Sequence, residues 1–295
     1  MDVVLLVSPV AGRGRATGLA EAVLAEFRRA GHSARVLPAT TGADAERQAA
    51  GAIAGGAGAV AAVGGDGTVH AALQAVAGTA TPLAVVPAGT GNDLVRALRI
   101  PREPVAAARA AAQDLAEGAS RVLDAGRTGN RWWATVLCCG FDSAVSDRAN
   151  RLRWPRGRRR YDVAVLAELA RLKPVELTLT LDGDAQTLPV TMVAVGNTPW
   201  YGGGMMVCPS ADPTDGLFDV TVVGATSRLQ LIRTKPLLMT GAHVHHASVT
   251  VDRAARVELS SPDVTTYADG EPVAALPAVA ECVPGALTVV GGGRV

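Results

Sequence analysis

Gly64-Gly65-Asp66-Gly67-Thr68 stands where an apolar run, residues 59–63, ends and helical periodicity begins. Glycines bring a backbone close to an anion, and a helix N-terminus offers N–H groups with partial positive charge, so a phosphate fits such a loop. The aspartate narrows the chemistry, because a carboxylate beside a phosphate repels it unless a cation lies between them. Asp66 therefore argues for Mg²⁺ bridging to a nucleotide rather than for simple anion capture. The alternative is a tight glycine turn that packs a helix on a strand.

A second loop of the same character, Pro87-Ala88-Gly89-Thr90-Gly91-Asn92-Asp93, also follows an apolar run and opens a helix. Asn92 or Asp93 could serve simply as the helix N-cap. Loops at the carboxyl ends of neighbouring strands in a doubly wound sheet face one crevice, so both loops can close on a single nucleotide. An opening segment, Ser8-Pro9-Val10-Ala11-Gly12-Arg13-Gly14-Arg15, adds glycines and two arginines at the same edge. Its spacing does not fit the dinucleotide fingerprint Gly-x-Gly-x-x-Gly. Further on, Ala268-Asp269-Gly270-Glu271-Pro272 reads by composition as a hairpin turn. Asp212, Pro213, Asp215 and Gly216 pass as an ordinary loop, although two carboxylates and a backbone carbonyl at that spacing also suit an oxygen-liganded cation. Asp124 stands at a strand end, where acids are common.

These loops need a scaffold. From Asp2 to about Asp124, short apolar runs alternate with helical periodicity: residues 3–7, then Leu19, Val23 and Phe27 at four-residue spacing, stopped by Gly31. The pattern recurs with residues 34–37 before a helix around 44–54, residues 59–63 before Val69, Leu73 and Val76, and residues 83–86 before Leu94, Val95 and Leu98. That alternation predicts a doubly wound, Rossmann-like α/β domain over residues 1–125, completed by the C-terminal segment 284–295. Beyond Asp124, Val175, Leu177, Leu179 and Leu181 alternate with polar residues, and Asp182-Gly183-Asp184 turns into another strand. Runs at 217–223, 248–251, 255–259 and 264–267 extend that grammar. Residues 126–283 are expected to form an antiparallel β-sandwich, interrupted only by a helical, arginine-rich insertion over 150–172.

Composition sets the outer limits. At about 150 residues per domain, 295 residues give two domains. With 48% apolar and 19% charged residues, disorder is excluded as the main state. The balance of 28 basic against 27 acidic residues leaves a net charge of +1, so attraction to an anionic surface must come from a local patch. Six arginines fall within residues 151–160 beside Trp154 and Tyr161, ahead of Val163, Leu166, Leu169 and Leu172. Cations with interfacial aromatics suit anionic lipid headgroups; the alternative is a solvated loop with a core-packed helix behind it. No nucleic-acid partner is expected, since neither a recognition fold nor interleaved stacking aromatics are present. Cys138, Cys139, Cys208 and Cys282 make neither a disulfide framework nor a metal spacing, which fits a reducing cytoplasm. No leader is expected at the N-terminus, and the longest apolar run, 51–63, is too short and glycine-rich to span a bilayer. His243, His245 and His246 lack companion ligands, and an exposed strand or loop is expected there.

Five segments occur in order: Gly64-Gly65-Asp66-Gly67-Thr68, Pro87 with Gly89-Thr90 and Asn92-Asp93, Tyr201-Gly202-Gly203-Gly204-Met205, Asp215-Gly216-Leu217-Phe218-Asp219 and Asp269-Gly270-Glu271. In this order they resemble the bacterial diacylglycerol kinase and related lipid kinase family, within the superfamily that contains the NAD kinases. The likeness runs nearly end to end. It implies a two-domain kinase, dependent on ATP and Mg²⁺, that transfers the γ-phosphoryl group to the hydroxyl of a lipid such as diacylglycerol, giving phosphatidic acid. ATP would lie over Gly64, Gly65, Asp66, Gly67, Thr68, Val69 and His70, lined by Ser8, Pro9, Gly12 and Gly14, by Thr40, and by Gly89, Thr90 and Asn92. By position, Asp269 is similar to the family's catalytic base, which takes the proton of the attacking hydroxyl. Asp66, Asp93, Asp124 and Asp215 are similar to its acidic network around the catalytic Mg²⁺. Asp212, Asp215 and the Leu217 carbonyl correspond to a second, structural metal site. Two departures stand out: Ser8-Pro9 where the family usually has Asn-Pro, and His70 where Asn is frequent.

The resemblance also implies a cytoplasmic protein, peripheral to the inner face of the membrane and acting on a lipid substrate there, with a homodimer left open. Two other readings stay open. One is a kinase of the same fold acting on another alcohol, whether a sphingoid base, a polyprenol, a glycolipid or NAD. The other is a catalytically silent nucleotide-binding module that docks on membranes, against which the retention of all these acidic positions speaks.

Overall fold

The computed structural model describes residues 1–7, 15–89, 91–152, 154 and 158–292, with the backbone alone for 15–17 and 158. The chain divides into two compact units, residues 1–125 with 132–134 and 283–295, and residues 126–131 with 135–282.

The first unit opens with β1 (Asp2–Val7), α1 (Arg15–Arg29), β2 (Ser33–Pro38), α2 (Gly42–Ala54), β3 (Ala59–Gly64), α3 (Asp66–Val76) and β4 (Leu83–Pro87). The short α4 (Asp93–Ala97), α5 (Pro104–Glu117) and β5 (Arg121–Thr128) follow. β1 pairs in parallel with β2 on one side and β3 on the other, and β4 continues beyond β3. Strands covered on both faces must be apolar throughout, and every residue of β3 is buried. Side chains alternate across the sheet. Val4, Leu6 and Val60 pack with Val69 and Leu73 of α3, while Val3, Leu5 and Ala61 pack with Val23 and Phe27 of α1 and with Ala108 and Ala111 of α5. This is the doubly wound α/β arrangement that the alternation predicts. Helix α5 went unread because its buried face is alanine, which carries little periodic signal; its Glu103 side chain caps the first turn and Pro104 sits at the first helical position.

The second unit contains β6 in part (Arg131–Trp133), β7 (Val136–Gly140), α6 (Phe141–Arg151), α7 (Arg158–Ala170), β8 (Val175–Leu181), β9 (Asp184–Gly196), β10 (Trp200–Tyr201), β11 (Met205–Met206) and β12 (Phe218–Gly224). It continues with α8 (Arg228–Leu238), β13 (Val249–Ala254), β14 (Arg256–Ser260), β15 (Thr265–Ala268), β16 (Glu271–Ala275) and the first part of β17 (Ala278–Val290). The pairings are antiparallel. Thirteen-residue β9 pairs with β8 over its first half and lies between β7 and β12 over its second, which lets the strands form the expected β-sandwich. Asp182 and Gly183 both take positive φ at the β8–β9 turn, as an Asp-Gly hairpin requires.

Two expectations are corrected. The arginine-rich insertion is not the only helical interruption, because α6 begins at Phe141 and α8 follows β12. His243 and His245 lie in a 3₁₀ turn, Ala242–His245, within the expected strand-or-loop segment, but His243 is buried and not exposed, with its Nε2 3.1 Å from the Val207 carbonyl. Burial holds its pKa below the usual histidine value.

Candidate functional site

In the first unit β3 ends at Gly64 and α3 begins at Asp66, with extended Gly65 between them. Gly64 pairs with Pro87 at the end of β4, and the Ala88 N–H donates to the Gly64 carbonyl at 2.7 Å, so the two loops leave the sheet side by side. One oxygen of Asp66 accepts the Asn92 N–H at 3.1 Å and the other accepts the Asp93 N–H at 3.3 Å. Asn92 is left-handed, with φ of 59°, and its side-chain amide donates to the Gly89 carbonyl at 3.0 Å. Asp66 thus knits the second loop to the first, a role its sequence context did not disclose.

The contact leaves no room for side chains. A Cβ on Gly89 would stand 2.5 Å from the Gly65 Cα, and one on Gly91 would overlap an Asp66 oxygen. Both loops sit at carboxyl ends of parallel strands, beside the β1–β3 boundary where the strand order reverses, the usual ligand position in open α/β sheets. The first turn of α3 adds N–H groups that have no partner four residues back in the helix. At its far end Gln74 clamps the helix, accepting the Trp132 N–H at 2.9 Å and donating to the Trp132 carbonyl at 2.7 Å. Such an arrangement can seat an anion, with an acid at its edge.

Other residues singled out around this seat fall differently. Thr40 is exposed after β2, and both its N–H and hydroxyl donate to Asp44, at 3.0 and 3.2 Å. The Thr40 N–H is the main reason the Asp44 carboxyl lies below its usual range. Thr68, Val69 and His70 are buried along α3, and the Thr68 and Val69 N–H groups both donate to the Gly65 carbonyl, at 2.9 and 3.1 Å. Thr68 lies directly over Gly64, where any Cβ would collide with it. Ser8, Pro9, Gly12, Gly14 and Thr90 lie outside the described residues. Asp93 is buried beside Asp66, in the first turn of α4. Asp124 is buried elsewhere: its carboxylate accepts the Gly285 N–H at 2.9 Å, bracing β5 against β17.

In the second unit Asp269 stands at the β15–β16 turn, where it and Gly270 both take positive φ. One carboxylate oxygen accepts the Thr135 N–H at 3.0 Å and the Thr135 hydroxyl at 2.5 Å. The Thr135 carbonyl in turn accepts the N–H groups of Asn197 and Thr198, at 2.8 and 3.1 Å. Thr135 is nearly fully buried and fixes the direction of an otherwise ordinary turn acid. Sequence reasoning missed it, since 134 residues separate the partners. Nearby in chain order, the Tyr201 hydroxyl donates to Asp142 at 2.5 Å. Desolvation pushes the Asp142 carboxyl up to about 6, against the opposing effect of the Tyr201 hydrogen bond.

The metal-ligand expectations divide. Asp66 and Asp93 are hard acids brought together at the two loops, the Asp93 N–H donating to the Asp66 carboxylate, and by type they fit the one- or two-acid donor set that Mg²⁺ shares with phosphate oxygens. Asp212, Asp215 and Leu217 do not fit a second cation as they stand. Asp212 accepts the Thr214 N–H and hydroxyl at 3.0 and 2.6 Å. Asp215 accepts the Leu217 N–H at 3.0 Å and pairs with Arg253, whose Nε lies 3.3 Å from the buried Asp219. A guanidinium already supplies the positive charge there. Among the described residues, no three His, Cys, Asp or Glu side chains converge as a metal set.

Trp154 is 82% exposed and Leu166 67% exposed, while Ala164 of α7 packs on Val145 and Ala149 of α6. Arg153 and residues 155–157 of the arginine-rich stretch lie outside the described residues. Among the described residues, no helix is long and apolar enough to cross a membrane.

Residues 2–128 match the family model of the diacylglycerol kinase catalytic domain, and residues 135–291 that of the YegS C-terminal NAD kinase beta sandwich-like domain. A diacylglycerol kinase of Mycobacterium tuberculosis (strain ATCC 25618 / H37Rv) is 41% identical over 294 residues, covering 98% of this chain and 94% of that protein. A probable lipid kinase YegS-like of Stenotrophomonas maltophilia (strain K279a) is 33% identical over 252 residues, 82% of this chain and 81% of its own. A crystal structure of a diacylglycerol kinase from Bacillus anthracis str. Sterne superposes with a TM-score of 0.71 at 19% identity, covering 98% of this chain and 96% of that one, a likeness of fold.

Proposed function

This chain belongs to the diacylglycerol kinase and YegS-like family and is a lipid kinase, and from that premise we propose that it phosphorylates the hydroxyl of diacylglycerol with ATP and Mg²⁺, giving phosphatidic acid. The observation that carries this reading is the pair of glycine loops locked in contact by Asp66 at the strand ends. Phosphoryl transfer asks a protein for positioning and charge neutralisation more than for covalent chemistry. The backbone of Gly64, Gly65, Gly67 and Gly89 and the first turn of α3 seat the phosphates, with Ser8, Pro9, Gly12, Gly14, Thr40, Thr90 and Asn92 completing the nucleotide's surroundings. Asp66 and Asp93 would hold Mg²⁺, which when bound would supply charge neutralisation on the phosphate oxygens.

Asp269 is the base. Thr135 fixes one of its oxygens, and the carboxylate takes the proton of the acceptor hydroxyl. That hydroxyl oxygen bonds to the γ-phosphorus as the bond to the β,γ-bridging oxygen breaks, and the electron pair leaves with ADP. Asp124 keeps a bracing role in this reading, and Asp215 an ion pair with Arg253. The protein acts at the cytoplasmic membrane surface, where its substrate lies.

The test is transfer of label from γ-labelled ATP to mixed micelles that each carry one lipid alcohol, with NAD as the soluble control, with and without Mg²⁺. Labelled phosphatidic acid formed only with Mg²⁺ is expected. Label confined to NAD or to another lipid would overturn the acceptor, and no label at all would overturn the catalytic reading.

A further inference from the structure

We propose that α8 is a membrane-docking helix that lies on anionic phospholipid; the inference rests on the lipid-kinase reading above. The helix is firmly built, with a capping box in which Ser227 accepts the Gln230 N–H at 3.3 Å while Gln230 accepts the Ser227 N–H at 3.0 Å. Yet none of its eleven residues is buried. Leu231, Thr234 and Leu238 line a small pocket with Met192, Val223 and Val249, which fixes the inner face.

The outer face is apolar. Leu229, Ile232 and Met239 are 55%, 53% and 55% exposed, and with exposed Pro236 they recur at helical spacing along one stripe. At 100° per residue, Arg233 flanks that stripe on one side and Arg228 and Lys235 on the other, all three exposed. Residues 225–251 contain no Asp or Glu. An apolar stripe with one cation on one side and two on the other, without a compensating acid, matches the interfacial region of an anionic bilayer, with apolar groups inserted and cations at the phosphates. Helix α7, by contrast, carries Asp162 and Glu168 among its exposed apolar residues, and Glu168 is paired with Arg148.

The full chain is sedimented with vesicles of equal phosphatidylglycerol and phosphatidylcholine, and with vesicles of phosphatidylcholine alone. The wild type should bind the anionic vesicles and not the neutral ones. Each cation near such a surface is worth about a fivefold change in affinity, so Arg228→Gln, Arg233→Gln and Lys235→Gln together should lower binding about a hundredfold. Ile232→Asn with Met239→Asn should lower it more than about tenfold on the same vesicles. Both variants should keep wild-type turnover on short-chain diacylglycerol dispersed in detergent, which also shows that they fold. Variants that bind vesicles like the wild type, or a wild type indifferent to anionic lipid, would overturn the docking role. Loss of vesicle binding in the variants, from a wild type that phosphorylates no dispersed lipid, would uphold α8 and overturn the substrate instead.

Discussion

Thr135 gives a single oxygen of Asp269 two hydrogen bonds, one from its backbone and one from its hydroxyl, across most of the second unit's sequence. The backbone donor survives any substitution, whereas the hydroxyl does not. A hydrogen bond to a charged group contributes about 1.5–3 kcal/mol, so Thr135→Val should lower kcat about tenfold and leave the KM for ATP unchanged. Thr135→Ser should restore the rate. Equal losses in both variants would show that the threonine merely packs.

The glycine contact makes a steric prediction. A methyl group on residue 89 meets backbone, not a movable side chain, so Gly89→Ala should cost about 1–3 kcal/mol in urea unfolding and weaken ATP binding. Asp66→Asn retains the shape but loses the charge that holds two N–H groups and that, in the proposed mechanism, would hold Mg²⁺. Its KM for Mg·ATP should rise about tenfold or more. Unchanged ATP protection against heat in both variants would contradict the anion seat.

Asp142 ties stability to pH. Its carboxyl loses a proton near 3.8 when unfolded but at about 6 when folded, so between those values the folded chain holds more protons and this group's contribution falls as pH rises. The ceiling is about 3 kcal/mol. A neutral amide in its place carries no such charge, so the Asp142→Asn variant should be stabilised relative to wild type at pH 7 and not at pH 4. Urea midpoints at the two pH values decide it; an equal difference at both would contradict the buried titration.

Arg253 predicts an answer about metal. Because its guanidinium pairs with Asp215 and Asp219, millimolar Mg²⁺ without nucleotide should not raise the Tm of the wild type. Arg253→Ala leaves buried Asp219 without that counter-charge and should cost about 1–2 kcal/mol, discounted for the half-exposed arginine. Part of that loss should return with Mg²⁺. A Mg²⁺-dependent Tm in the wild type would restore the second cation site.

The parallel half was legible in the sequence because buried strands and amphipathic helices leave different periods, so residues 59–63 and the glycine loop after them announced β3 and the start of α3. The Asp182-Gly183 hairpin was legible through its turn chemistry. Helix α5 was hidden by its alanines, and α8 by an apolar stripe that faces outward instead of into a core. The site was legible where a motif is local. What escaped notice is nonlocal: Thr135 reaching Asp269, Gly285 taking up Asp124, and Arg253 meeting Asp215 through the β12–β13 register. Asp66 was read as a cation ligand, and its grip on the second loop depends on a chain reversal that spacing alone cannot reveal.

The most direct measurement is turnover of Asp269→Asn on dispersed diacylglycerol, followed as labelled phosphatidic acid, with ATP binding measured on the same sample. Loss of a general base lowers rates by about a hundredfold or more, so ATP should bind normally while label nearly vanishes. Wild-type turnover in Asp269→Asn would contradict the assignment of the base and with it the central account.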